Sequence, residues 1–205
     1  MKKHDLPSIA DFNLDIDLIK LQEETDQLAS TFTDVRTANP MLCDNHMELV
    51  DQVYDNFEQI NLTTPSEILP YTASIKERLK RREEHLYNIP TKDYTGSYFQ
   101  EIITQLTTPA SRVRITKLAP GKTIPFHVDY DISYAVRCIV PIYGDRNVIN
   151  LFRRGDKLEA YNLKKGVAYF LNIGYPHAVI NMSDKPRIAL MFSLDGTNDL
   201  ETMYY

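Results

Sequence analysis

Leu118-Ala119-Pro120-Gly121, Phe126-His127-Val128-Asp129, Gly174-Tyr175-Pro176-His177 and Lys185-Pro186-Arg187-Ile188-Ala189-Leu190 punctuate one stretch, residues 118–195, whose reading decides the fold. His127 and Asp129 stand two apart in an apolar, β-like context. On a strand that spacing turns both side chains to one face and Val128 to the other. His177 follows Asp129 by 48 residues, on a second β-like segment. Two imidazoles and one carboxylate can cap one face of an octahedral metal. Three adjacent positions then stay open, which suits non-haem Fe(II) used for oxygen chemistry. Either histidine alone reads as a core or surface residue; the pair with Asp129 reads as a ligand set. Asp131 is the alternative carboxylate, on the same face but past the end of the strand.

Around this stretch the pattern changes period near Pro109, from helical to alternating. Strands are expected at 112–118, 123–129, 134–143, 147–153, 158–162, 167–172, 177–182 and 187–194. The breaks carry turn chemistry: Pro120-Gly121, Gly144-Asp145, Arg154-Gly155-Asp156, Lys164-Lys165-Gly166 and Ser183-Asp184-Lys185-Pro186. Eight short strands at near-regular spacing fit a double-stranded β-helix, the cupin or jelly-roll architecture. The expected fold class is therefore mainly β, with N-terminal helices.

Residues 1–10 read as a tail. Leu14, Leu18, Leu21 and Leu28 recur at helical spacing and predict a helix over 15–30. A second is expected at 45–60, with Val50, Val53, Phe57 and Ile60 on one face. A third is expected at 72–87, with Thr72 as N-cap. Its charged centre, Lys76 to Glu84, reads as a solvated face. A fourth is expected at 97–106. Residues 1–108 thus form a helical layer packed on a core of 109–205, in one structural unit. His4, His46 and His85 lie in the helical half and read as surface residues.

Arg187 alternates with Ala189, Met191 and Ser193 on one strand face, while Ile188, Leu190, Phe192 and Leu194 take the other. A charged group on an inner face needs a partner. The bland partner is Asp184 or Asp195 at the rim; the functional one is a ligand carboxylate, gripped by two parallel hydrogen bonds. Arg137 raises the same question on the apolar run Ala135-Val136-Arg137-Cys138-Ile139-Val140.

At these residues the chain resembles the Fe(II)/2-oxoglutarate-dependent oxygenases, and among them the aspartyl/asparaginyl β-hydroxylase group, which includes free-proline hydroxylases. The matching elements are Leu118, Pro120-Gly121, His127-Val128-Asp129, Arg137, Pro141, Pro176-His177-Ala178-Val179-Ile180-Asn181 and Pro186-Arg187-Ile188, confined to the C-terminal half. The resemblance implies Fe(II) on His127, Asp129 and His177, with 2-oxoglutarate and O2 as cosubstrates. It implies that Arg187 anchors the far carboxylate of 2-oxoglutarate, and that Thr116 occupies a hydroxyl position serving the same group. It implies a substrate-carboxylate contact for Arg137. Ile139 stands where the pattern often has a histidine, which counts against the protein-substrate activity. Arg112 and Arg114 share the strand face of Thr116.

Composition bounds the rest. The 205 residues are 43% hydrophobic and 25% charged, enough for one sizeable core. A net charge of −5 disfavours nucleic acid as a partner. Cys43 and Cys138 form no CxxC motif, and no apolar run approaches the roughly 20 residues of a membrane span. A reducing, cytoplasmic setting is the expectation. The expected activity is hydroxylation of a small carboxylate-bearing molecule such as an amino acid. The alternatives are the same chemistry on an Asp or Asn of a protein, and a cupin-like module that binds metal or ligand without turnover.

Overall fold

A strand buried on both faces must be apolar or have its polar side chains paired. Residues 136–142 and 187–194, buried along most of their length, follow that rule. The computed structural model describes residues 6–39, 57–70, 72–196 and 199. Its strands are β1 (Ile9–Phe12), β2 (Thr33–Asp34), β3 (Phe57–Asn61), β4 (Thr63–Thr64), β5 (Ile89–Pro90), β6 (Ala110–Leu118), β7 (Thr123–His127), β8 (Val136–Tyr143), β9 (Val148–Arg154), β10 (Lys157–Tyr161), β11 (Ala168–Leu171), β12 (His177–Asn181) and β13 (Arg187–Leu194). Its α-helices are α1 (Leu18–Gln27), α2 (Val35–Ala38), α3 (Ile75–Lys80), α4 (Glu83–Leu86) and α5 (Tyr98–Ile103).

The eight expected C-terminal strands are all present, their ends displaced by no more than two residues. They divide between two antiparallel sheets, crossing from one to the other at every connection except the β9–β10 hairpin. One runs β1-β11-β8-β13-β6-β3-β2 and the other β10-β9-β12-β7. This is the double-stranded β-helix. Gly121, at φ +69, makes the turn from the large sheet to the small one after β6, a conformation that costs glycine nothing. Asn181 ties two such turns together. Its side-chain amide donates to the carbonyls of Leu118, Ala119 and Lys185, and its oxygen accepts from Ser183. It is a structural residue of the barrel end.

The outer face of the large sheet is the main core. Val113, Ile115, Cys138, Val140, Phe170, Leu190 and Phe192 are buried there against Leu21 of α1 and Phe99 and Ile102 of α5. Asp17 caps α1 by accepting from Ile19 and Lys20 N–H groups, and Ser97 caps α5 through Gln100 N–H. Among the described residues no helix is long and apolar enough to cross a membrane.

The N-terminal half departs from an all-helical layer. Residues 6–10 are not a tail: Leu6 and Ser8 are buried, and Ile9–Phe12 pairs with β11. Phe57–Asn61 is a strand on the edge of β6, where a helix was expected; residues 45–56 lie outside the described ones. The free edge of β6 needed hydrogen-bond partners, and Phe57, Gln59 and Asn61 bring an inner-face set opposite Leu118, Thr116 and Arg114. The helix expected over 72–87 is two short ones. Ser74, not Thr72, is its cap, and Arg82 at φ +53 interrupts it. The first helix is a shorter α1 followed by one 3-10 turn at Ala29–Thr31.

Phe192 is fully buried at the centre of the outer core. Phe192→Ala should lower the unfolding free energy by about 3–5 kcal/mol in urea titration, through lost burial and the cavity left behind. A loss under about 1 kcal/mol would show that this face is not the principal core.

Candidate active site

The small sheet brings the two histidines together. β12 pairs with β7 so that His177 lies opposite His127, with ring centroids 4.2 Å apart. Each Nδ1 faces a backbone carbonyl, Pro125 at 2.8 Å for His127 and Tyr175 at 3.0 Å for His177. An Nδ1–H donated to a carbonyl fixes the tautomer and leaves each Nε2 as a bare lone pair. Those two Nε2 atoms lie 3.7 and 4.0 Å from the carboxylate of Asp129. The three candidate ligand atoms all fall within 4.8 Å of one another. Two neutral imidazole nitrogens and one carboxylate oxygen, converging this way, fit a divalent metal bound on one face.

The local fold explains the convergence. β7 stops at His127, and Asp129 follows in a loop whose Asp129 N–H donates to Ile173 C=O at 3.1 Å. His177 is buried and stacks on Phe152 at 5.7 Å. Burial pushes its pKa down to about 4; Asp129 opposes the shift and His127 adds to it. The ring is therefore neutral at pH 7, as a ligand must be. Asp131, the alternative carboxylate, stands apart from the two histidines. It accepts from Ser133 N–H in a tight turn and lies outside the convergent group. His85 is half-buried with Nε2 against Tyr134 C=O, while His4 and His46 lie outside the described residues.

Arg187 and Thr116 meet on the inner face of the large sheet. Arg187 is 5% exposed, and its Nη1 donates to Thr116 Oγ1 at 3.1 Å. Among the described residues no carboxylate forms an ion pair with Arg187, and Asp195 pairs with Arg82 instead. Burial pushes the Arg187 pKa down to about 10. A cavity lies against it, lined by Ile139, Pro141, Val148, Asn150 and Leu163.

Arg137 also points inward, and its surroundings correct the reading of the charged helix. Glu84 of α4 is not on a solvated face: it is 0% exposed, inserted among inner-face arginines. One oxygen accepts from Arg137 Nη2 at 2.8 Å and Ser193 Oγ at 2.7 Å. The other accepts from Arg112 Nη1 at 2.5 Å and Tyr130 Oη at 3.0 Å. Arg137 thus already has an internal partner, although its buried Nε has none. Burial opposes ionisation of Glu84, but Arg112, Arg137 and Arg114 outweigh it and hold the carboxyl well below the usual range. Arg112 occupies a bulge in β6 at φ +48, a conformation costing about 1–3 kcal/mol and tolerated where contacts over-determine it. Sequence reasoning missed Glu84, Tyr130 and Ser193. The available signal was three inner-face arginines with no carboxylate among their strand neighbours.

Residues 79–196 match the family model described as aspartyl/asparaginyl beta-hydroxylase, more than half of the chain. Among solved structures, a cupin domain from Bordetella pertussis shares 22% identity over 44% of this chain and 86% of its own, with a TM-score of 0.33. An oxidoreductase of the 2OG-Fe(II) oxygenase family from Burkholderia pseudomallei shares 10% identity over 89% of this chain and 92% of its own, with a TM-score of 0.42. No curated protein matches the chain in sequence.

Removing the Glu84 charge strands three buried guanidinium groups. Glu84→Gln should cost on the order of 3–5 kcal/mol at pH 7 in urea unfolding. Because the folded carboxyl titrates below its ordinary value of 4.5, this contribution is complete above that pH and is lost as the pH falls towards the folded value. The gap between wild type and variant should therefore narrow below about pH 4.5. Equal stability at pH 7 would remove Glu84 from the architecture.

Proposed function

Because the chain belongs to the aspartyl/asparaginyl β-hydroxylase family, we propose that it is an Fe(II)- and 2-oxoglutarate-dependent dioxygenase that hydroxylates a small carboxylate-bearing substrate such as an amino acid. The observation that carries the reading is the convergence of His127, Asp129 and His177, with both Nε2 lone pairs freed by carbonyl contacts. When bound, Fe(II) with 2-oxoglutarate supplies O2-driven hydroxylation, the oxo acid ending as succinate and CO2.

The chain's own residues do the rest. His127 and His177 would hold the metal through Nε2, and Asp129 would offset part of its charge. Arg187 lacks a carboxylate among the described residues and is steadied by donating to Thr116 Oγ1, so it is the grip for the far carboxylate of 2-oxoglutarate. Arg137 offers its unpartnered Nε towards a substrate carboxylate. Phe152, Ile139 and Ala189 line the interior with apolar surface that keeps water out. The excess of inner-face arginines over carboxylates favours an acid as substrate, and the net charge of −5 speaks against nucleic acid. A reducing cytoplasmic setting suits both Fe(II) and the free thiol of Cys138.

An anaerobic titration with Fe(II) and 2-oxoglutarate, then a screen of amino acids, other small acids and peptides for stimulated succinate release, tests this reading. His127→Ala and His177→Ala should lose Fe(II) binding and turnover while remaining folded, because the ligands stand on a barrel held by its own strand pairing and core. Wild-type iron affinity in either variant refutes the ligand assignment. Arg187→Met should raise the 2-oxoglutarate requirement by a factor corresponding to about 2–5 kcal/mol. An unchanged requirement makes Arg187 structural. Stimulation by peptides alone would move the substrate class to proteins.

A further inference from the structure

The cluster around Glu84 contains more positive charge than it can use. A carboxylate offers about four acceptor positions. On Glu84 all are occupied, by Arg112, Tyr130, Arg137 and Ser193. Arg114 is left over. Its Nη1 stays 3.9 Å from Glu84, beyond hydrogen-bond length, and donates instead to the Arg112 carbonyl at 3.1 Å. Only 8% of Arg114 is exposed. Three guanidinium groups therefore share one carboxylate. Two positive charges remain uncompensated by it, in an interior where the field of Arg137 reaches His177.

The position of Arg114 is as informative as its charge. On β6 it sits two residues from Thr116, on the same face, and opposite Met191 of β13. Arg187 is four residues further along β13, roughly 13 Å at strand spacing. The inner face thus carries two separate cationic ends, Arg187 at one and Arg114 with Arg137 at the other.

From this arrangement we infer that Arg114 is a substrate-binding residue that receives the carboxylate of a small organic acid together with the Nε of Arg137, while Glu84 acts as a positioning residue by taking up Arg112 and one amino group of Arg137. The inference deepens the proposed function and rests on it for the word substrate. Burial pushes the Arg114 pKa down to about 9, helped by Arg137 and Arg112, so the side chain is still charged at pH 7 and gains from any anion brought to it. A monocarboxylate suffices, because Arg187 serves a different acid at the far end.

The test measures binding first and turnover second. Wild-type protein loaded with Mn(II) and N-oxalylglycine, an unreactive 2-oxoglutarate analogue, is titrated with the twenty L-amino acids and with mono- and dicarboxylic acids of two to six carbons. Binding is read by thermal shift, and each acid that binds is compared with its amide. At least one acid should bind and its amide should not. Arg114→Gln should weaken that acid on the order of a hundredfold, with N-oxalylglycine affinity unchanged. Arg114→Lys, which keeps the charge and loses the fork, should fall between the two. Acids that bind Arg114→Gln as they bind wild type overturn the inference, as does a wild type that binds none of them. Should Arg114→Gln not fold, unchanged affinity in Arg114→Lys overturns it as well. Acid binding through Arg114 without any 2-oxoglutarate consumption under Fe(II) and O2 removes the oxygenase reading and leaves this site standing. Oxygenase turnover indifferent to Arg114 does the reverse.

Discussion

Three guanidinium groups enter the barrel interior from β6 and β8, and the carboxylate of Glu84 is what lets them stay. An unpaired buried charge costs several kcal/mol, far more than any one packing contact returns. The constraint reaches outward from there. Glu84 belongs to α4, so α4 must dock against the strands. The docking is sealed by the Glu84 N–H on Tyr134 Oη and by His85 against the Tyr134 carbonyl. Arg82 in a left-handed conformation turns the chain into α4, and its side chain pairs with Asp195 just past β13. One buried carboxylate thus fixes where the N-terminal half meets the barrel.

The same strands serve two opposed purposes on their two faces. Along β8, Val136, Cys138, Val140 and Ile142 complete an apolar core with the helices, while Arg137 and Ile139 face the interior. Along β13, Phe192 and Leu190 are core, and Arg187 and Ser193 are pocket. The polar face is tolerable because the outer face holds the sheet in place without it. Separation of this kind lets the pocket carry excess charge and backbone strain, as at Arg112, without loss of the fold.

Much of this was legible in the chain. Alternation after Pro109 marks eight strands because most of them are buried on at least one face by apolar side chains, and the turns carry Gly, Asp or Pro at their breaks. His127, Asp129 and His177 do converge, but Asp129 does so by another route than the strand alternation expected for 123–129: β7 ends at His127, and the N–H of Asp129 on Ile173 C=O sets the loop. Phe57–Asn61 was not legible: Val53, Phe57 and Ile60 repeat at helical spacing, and only the unpaired edge of β6, a long-range partner, makes 57–61 a strand. Glu84 was hidden for the same reason. In a run such as Lys76 to Glu84 every residue looks solvated, yet Arg78 and Glu84 are both buried, and Glu84 is drawn in by arginines 28 and 53 residues away. The pairing of Arg137 with Glu84 is therefore a fact about tertiary structure that local pattern does not contain.

The three candidate ligands do not stand on equal footing. His127 and His177 sit on hydrogen-bonded strands, but Asp129 sits on a loop. That loop continues through Tyr130 and Tyr134, whose rings pack 4.7 Å apart and whose hydroxyls contact Glu84. Ordering Asp129 and seating α4 are consequently one equilibrium viewed from two ends. A displacement of α4 that carries Glu84 away would therefore remove the hydrogen bonds that hold Tyr130 and Tyr134, next to Asp129, in place.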